Sequence, residues 1–133
     1  MTLRLLSADL VITIHDAVLN PGELAGLALD KSLEGALGRV DNRMAYGMIE
    51  DAFDLAAAYA VAIATGHCFN DANKRTAFRS MQTALWLNDV PILFEVEDIG
   101  PIIIEVAQGK MDEAALADWL RGAAAEAIGD QST

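Results

Sequence analysis

His67-Cys68-Phe69-Asn70-Asp71-Ala72-Asn73-Lys74-Arg75 places a histidine, an acid, two amides and two cations within nine positions. The stretch lies between two segments of helical pattern, and that placement decides the fold. Upstream, Met48, Phe53, Leu55, Tyr59 and Ile63 with alanines between them predict a long helix over 44–65, with Gly66 as its stop. Downstream, Ala77, Phe78, Met81, Ala84, Leu85 and Leu87 form a broad apolar stripe and predict a second helix from about Ala72 to Asn88. The nonapeptide is therefore a loop joining two helices.

Outward from this pair the pattern stays helical. Ser7 ahead of Asp9 and Leu10 predicts a capped helix start, and Asn20-Pro21-Gly22 predicts its end. Residues 22–31 are expected to form a mobile flap on which a protein substrate docks. A short helix is predicted over 32–37. Residues 89–97, with Pro91, Ile92, Leu93 and Phe94, predict an extended connector able to pair as a short strand. Helices over 99–108 and 112–127, separated by Gly109, complete the set, and residues 129–133 are expected to fray. The reading is an all-α fold of about six helices, with residues 1–133 as a single domain.

The residue types in the loop fit phosphate chemistry. Asp71 is a good N-cap type for the following helix, whose first N–H groups would form an anion site. Lys74 and Arg75 add positive charge there, and Asn73 adds a donor. Asp71 has two open roles, helix cap or ligand of a divalent cation carried by the phosphates. Histidine is the side-chain type whose ordinary pKa lies near neutrality, so His67 is the candidate to take a proton from an attacking hydroxyl. Taken singly, each has a plainer reading: a helix-end histidine, a cap, a solvated basic face, and a core anchor at Phe69. Their joint occurrence decides, because three of the nine basic residues, Lys74, Arg75 and Arg79, fall within six positions of a chain with formal charge −11. Cys68 has no third group to orient it against His67, which argues against thiol chemistry.

The stretch resembles the signature of the Fic/Doc superfamily, His-Pro-Phe-x-(Asp/Glu)-Gly-Asn-Gly-Arg-x-x-Arg, and specifically its death-on-curing (Doc) toxin branch. Cys68 replaces the proline, Ala72 and Lys74 replace the two glycines, and Phe78 stands at the last arginine. The glycine replacements are usual in the Doc branch. Together with loss of the second arginine they favour phosphorylation over AMP transfer. Flanking segments are similar too: Asp9 to Ala17 resembles the first Doc helix, Gly26 to Asp30 the flap, Leu85-Trp86-Leu87-Asn88 the end of the motif helix, and Ala107 to Leu120 the C-terminal helix pair.

The resemblance implies a Fic/Doc helical domain and a toxin that transfers phosphate from ATP to a Ser or Thr of a protein substrate, elongation factor Tu, arresting translation. His67 and Asp71 would be catalytic. Ala72, Asn73, Lys74, Arg75 and Arg79 would bind the nucleotide, with Asp71 on Mg²⁺. Doc members carry Asn at the position of Arg79. The alternatives are an AMP transferase on the same fold and a non-enzymatic corepressor that binds an antitoxin. Inhibited Fic proteins carry a Ser/Thr-x-x-x-Glu helix, and no Ser or Thr here has a Glu four residues on. Restraint is therefore expected from a second chain, a Phd-like antitoxin whose helix lies in an apolar groove.

Composition sets further bounds. With a pI near 4.3 the chain has no basic stripe for nucleic acid. The apolar run Leu3 to Leu19 is broken by Asp9, His15 and Asp16, so neither a signal peptide nor a membrane span is expected, and a cytoplasmic location is. One cysteine allows no internal disulfide. His15 and His67 lack metal-ligand spacing, and no glycine-rich phosphate loop occurs elsewhere, so ATP and Mg²⁺ would bind through the motif loop.

Overall fold

The computed structural model describes residues 2–131, with side chains through residue 127. They form six helices: α1 (Ala8–Val18), α2 (Leu33–Ala45), α3 (Ala52–Gly66), α4 (Asn73–Leu87), α5 (Val96–Ala107) and α6 (Glu113–Gln131). Among the described residues there is no strand, only an isolated antiparallel bridge between Leu27 and Phe69. The fold is all-α.

The helix α3 is central because its sequence is apolar on every side. Leu55, Ala56, Ala57, Tyr59, Ala60 and Ile63 are all buried, and α2, α4, α5 and α6 pack around it. Its alanines let the neighbouring backbones come close. Tyr59 gives the same helix a polar anchor: its hydroxyl accepts from the Leu6 amide at 2.8 Å, tying the segment before α1 to the core. Asn88, at the end of α4, holds that segment as well, accepting from the Arg4 amide at 2.7 Å and donating to the Arg4 carbonyl at 3.0 Å.

Helix starts follow the capping residues. Ser7, Ser32, Asp51 and Asp112 each accept an amide three residues on, at 2.8 to 3.1 Å. These caps correct two expected boundaries. The second helix runs past Leu37 to Ala45, because Leu33, Ala36, Leu37 and Val40 continue one buried stripe through Gly38. The long helix expected from Met44 begins only at Ala52. Gly47, at φ +71°, reverses the chain between the two, and Met48 is exposed.

Three further boundaries differ. Residues 89–95 form no strand; the Trp86 indole and the Gln82 amide donate to the Ile92 carbonyl and hold the connector against α4 instead. The next helix starts at Val96, with Glu97 and Asp98 in its first turn. The last extends to Gln131 rather than 127, and the expectation of fraying at 132 and 133 lies outside the described residues. Among the described residues no helix is long and apolar enough to cross a membrane.

Candidate active site

The loop between α3 and α4 is shaped by two residues in the left-handed region. His67 ends α3 at φ 51°, ψ 41°, and Ala72 precedes α4 at φ 64°, ψ 29°. Gly66 is the last helical residue, but the reversal falls on the histidine. Asp71 does not cap α4 as expected, because Ala72 occupies the N-cap position. No side chain caps this helix, so its first turn opens onto the adjacent cavity.

Between those residues the loop is tied down on every side. The Cys68 carbonyl accepts from the Ala28 amide at 2.8 Å, and the Asn70 amide donates to the Gly26 carbonyl at 3.1 Å, so the 22–31 segment pairs with the loop. Cys68 is buried, its thiol directed at the Ser32 carbonyl 3.5 Å away, and burial pushes that thiol up from its ordinary pKa. Phe69 is buried beneath the loop. Asn73 closes it as a ring, accepting from the Phe69 amide at 3.1 Å and donating to the Phe69 carbonyl at 2.9 Å.

A residue that sequence reasoning passed over supports this arrangement. His15, on α1, is fully buried; its ring stacks on Phe69 at 3.9 Å and 9°, and its Nε2 lies 2.8 Å from the Asp71 carbonyl. A carbonyl only accepts, so Nε2 carries the proton. The signal was present in the sequence, since His15 lies one helical turn after the buried Val11 on the same face.

A cavity of about 340 Å³ lies above the loop, lined by His67, Asn70, Asp71, Ala72, Asn73, Lys74 and Arg75 together with Glu23. The structure thus gathers six of the seven predicted site residues. Arg79 faces elsewhere, into an apolar groove of about 410 Å³ between α1, α4 and α5 that also takes in Val18, Phe78, Ile99, Ile103 and Ile104. Lys74 and Arg75 border both spaces.

Hydrogen bonds divide the labour among these groups. His67 and Lys74 are exposed, and neither side chain has a hydrogen-bonded partner among the described residues. Asp71 accepts from the Leu24 amide at 2.8 Å through Oδ2, leaving Oδ1 to the cavity. Arg75 donates to the Val18 carbonyl at 2.5 Å and forms an ion pair with Glu23. The hydrogen bond from Arg75 to Glu23 holds the Glu23 carboxyl below the usual carboxylate range and pushes the Arg75 guanidinium up. Glu23 lacked any signal in the sequence.

This geometry coincides with the region of a known sequence pattern. The sequence model of the Fic/DOC family matches residues 5–85, more than half of the chain. The chain belongs to the Fic/DOC family. Protein kinase doc of Escherichia phage P1 is 38% identical to it over 120 residues, covering 90% of this chain and 94% of the relative. The matched Fic/DOC region includes His15, the flap and the whole motif loop. The elements that build and brace the cavity are therefore almost all family elements.

The donor set suits a Fic/DOC nucleotide site. An uncapped helix N-terminus beside an exposed lysine fits a phosphate, and one unpaired carboxylate oxygen fits a cation that phosphates also hold. No group of three or more His, Cys, Asp or Glu able to hold a metal by itself occurs among the described residues.

Proposed function

We propose that the protein transfers a phosphoryl group from ATP to a Ser or Thr hydroxyl of a protein substrate. The observation that carries this reading is the convergence of His67, Asp71 and Lys74 on one cavity at the uncapped start of α4. Lys74, Arg75 and the backbone amides from Ala72 onward would hold phosphates, Asn73 contributing its amide while its side chain closes the loop, and Asp71 would hold Mg²⁺. ATP with Mg²⁺ supplies the transferable phosphoryl group and screens its charge. His67 takes the acceptor hydroxyl's proton as the new O–P bond forms and the bond to the ADP oxygen breaks. His67 is exposed and lines the cavity, where an incoming hydroxyl can reach it.

The word kinase in the name of the phage relative supports phosphoryl transfer. So does Phe78, which faces the apolar groove and brings no second cation to the cavity. Elongation factor Tu is the proposed substrate, with arrest of translation as the result and toxicity as the phenotype. The groove between α1, α4 and α5 suits the apolar face of a Phd-like antitoxin helix. Lys74, Arg75 and Arg79 along it favour acidic side chains on that helix.

The test is the intact mass of purified elongation factor Tu after incubation with the protein, ATP and Mg²⁺, beside a His67→Ala control. One added phosphoryl group, absent in the control, is the expected result. An added AMP would replace the reaction proposed, and an unchanged mass would remove this substrate. Equal transfer by His67→Ala would remove the histidine as base.

A further inference from the structure

The turn after α1 is fastened to two of the groups assigned above to phosphate and metal. Asn20 and Glu23 first close the turn on itself: the Glu23 amide donates to the Asn20 carbonyl at 3.1 Å, and the Asn20 amide donates to Glu23 Oε1 at 2.6 Å. The other carboxylate oxygen, Oε2, then takes Arg75 Nη2. One residue on, the Leu24 amide occupies Oδ2 of Asp71. A single turn thus engages both a cation and a carboxylate of the cavity.

The charge around the cavity is correspondingly balanced. Glu23 and Asp71 offset Lys74 and Arg75, so a polyphosphate would enter a space with no net positive charge. Arg75 has two bonds to satisfy it already, to Val18 and to Glu23. An anion that uses Arg75 must take the guanidinium from a carboxylate whose position is fixed by the Asn20 amide.

We propose that Glu23 is an internal competitor for the anion site, a latch that holds Arg75 until a polyphosphate displaces it and the 20–24 turn lets go. This rests on the functional reading above. At neutral pH the carboxylate competes as a full charge, because Arg75 and then the Asn20 amide hold it ionised. Apparent affinity for an anion is scaled by the fraction of molecules in which Arg75 is free, so a latch closed about nine-tenths of the time lowers affinity about tenfold. Neutralising Glu23 while keeping its shape should recover that factor.

The experiment is calorimetric titration of ATP with Mg²⁺, and separately of inorganic pyrophosphate, into the wild type and Glu23→Gln. Gln keeps an oxygen for the Asn20 amide; Glu23→Ala serves as a second variant. Amide NMR of Leu24 in the wild type reports release of the turn during the same titrations. Tighter binding by Glu23→Gln, by about tenfold, with the Leu24 amide shifting on titration of the wild type, is the expected result. Binding that is equal or weaker in both variants, or a Leu24 amide that does not respond, overturns the latch and leaves the anion site standing. Absence of binding by every protein overturns the anion site and the latch with it.

Discussion

Two L-residues in left-handed backbone, His67 and Ala72, bracket the motif loop. Such a conformation costs a residue with a Cβ roughly 1–2 kcal/mol, and glycine avoids it. Ala72→Gly should therefore stabilise the protein by roughly 0.5 kcal/mol, after subtracting the greater freedom that glycine gives the unfolded chain. Urea denaturation measures it; a loss of stability would mean that the Ala72 methyl packs more than its backbone strains. The loop tolerates the strain because buried contacts determine its path, above all His15 against Phe69 and the Asp71 carbonyl. His15→Phe keeps a ring for the stack but leaves that carbonyl without its donor, a cost of about 1–3 kcal/mol. Tm beside that of His15→Ala tests it, since the truncation also loses the stack and should be lower still. Residue types in the loop were legible from sequence, but their hydrogen bonds were not. Asn73, Asp71 and Arg75 look like free ligand donors on paper. In the structure Asn73 closes the loop locally, while Asp71 and Arg75 meet partners 47 to 57 positions away, Leu24, Glu23 and Val18. Only the tertiary packing of α1 and its turn on the loop brings those partners there.

Helices were legible where a cap and a buried stripe agreed, as at Ser7 for α1. The break between α2 and α3 was hidden because Met44 and Met48 continue an apolar spacing into a turn where Met48 is exposed. Across this same region the end of α2 meets the start of α6 through Arg43 and Glu113, 3.0 Å apart. Burial pushes the Glu113 carboxyl above its ordinary range, with Asp54 and Asp112 adding to it, and outweighs the opposing pull of Arg43. A carboxyl raised in the folded state stabilises the fold while protonated, below the unfolded value of about 4.3. That contribution is lost as pH rises through the raised folded value. Glu113→Gln should flatten this dependence, so its Tm relative to wild type should climb from about pH 4.3 toward neutrality. A Tm difference that instead falls over that range would show the Arg43 ion pair to be the stronger effect.

On the scale of the whole molecule, a formal charge of −11 sets repulsion against packing. α6 is the element on which the contest is clearest. Leu116, Ala117 and Leu120 bury its apolar face against the core. Beside them Arg121 donates to Asp51 and Asp54 of the α3 start and to Asp118 of its own helix, with its guanidinium 5.9 Å from the Phe53 ring. The hydrogen bonds to Asp54 and Asp51 push its pKa further up, so it stays charged at every pH at which the protein folds. Replacing it in Arg121→Met keeps an apolar stem over Phe53 but leaves three neighbouring carboxylates without their cation. Arg121 is more than a third exposed, so solvent screens much of the loss, leaving roughly 1 kcal/mol at 0.15 M ionic strength. At about 0.01 M the Debye length grows to roughly 30 Å and the carboxylates repel across the α3–α6 junction. Both proteins should therefore melt higher as salt is added, with the variant gaining more and the gap in Tm narrowing. A gap that stays constant would assign the role of Arg121 to its direct hydrogen bonds with Asp51, Asp54 and Asp118 rather than to relief of repulsion among those carboxylates.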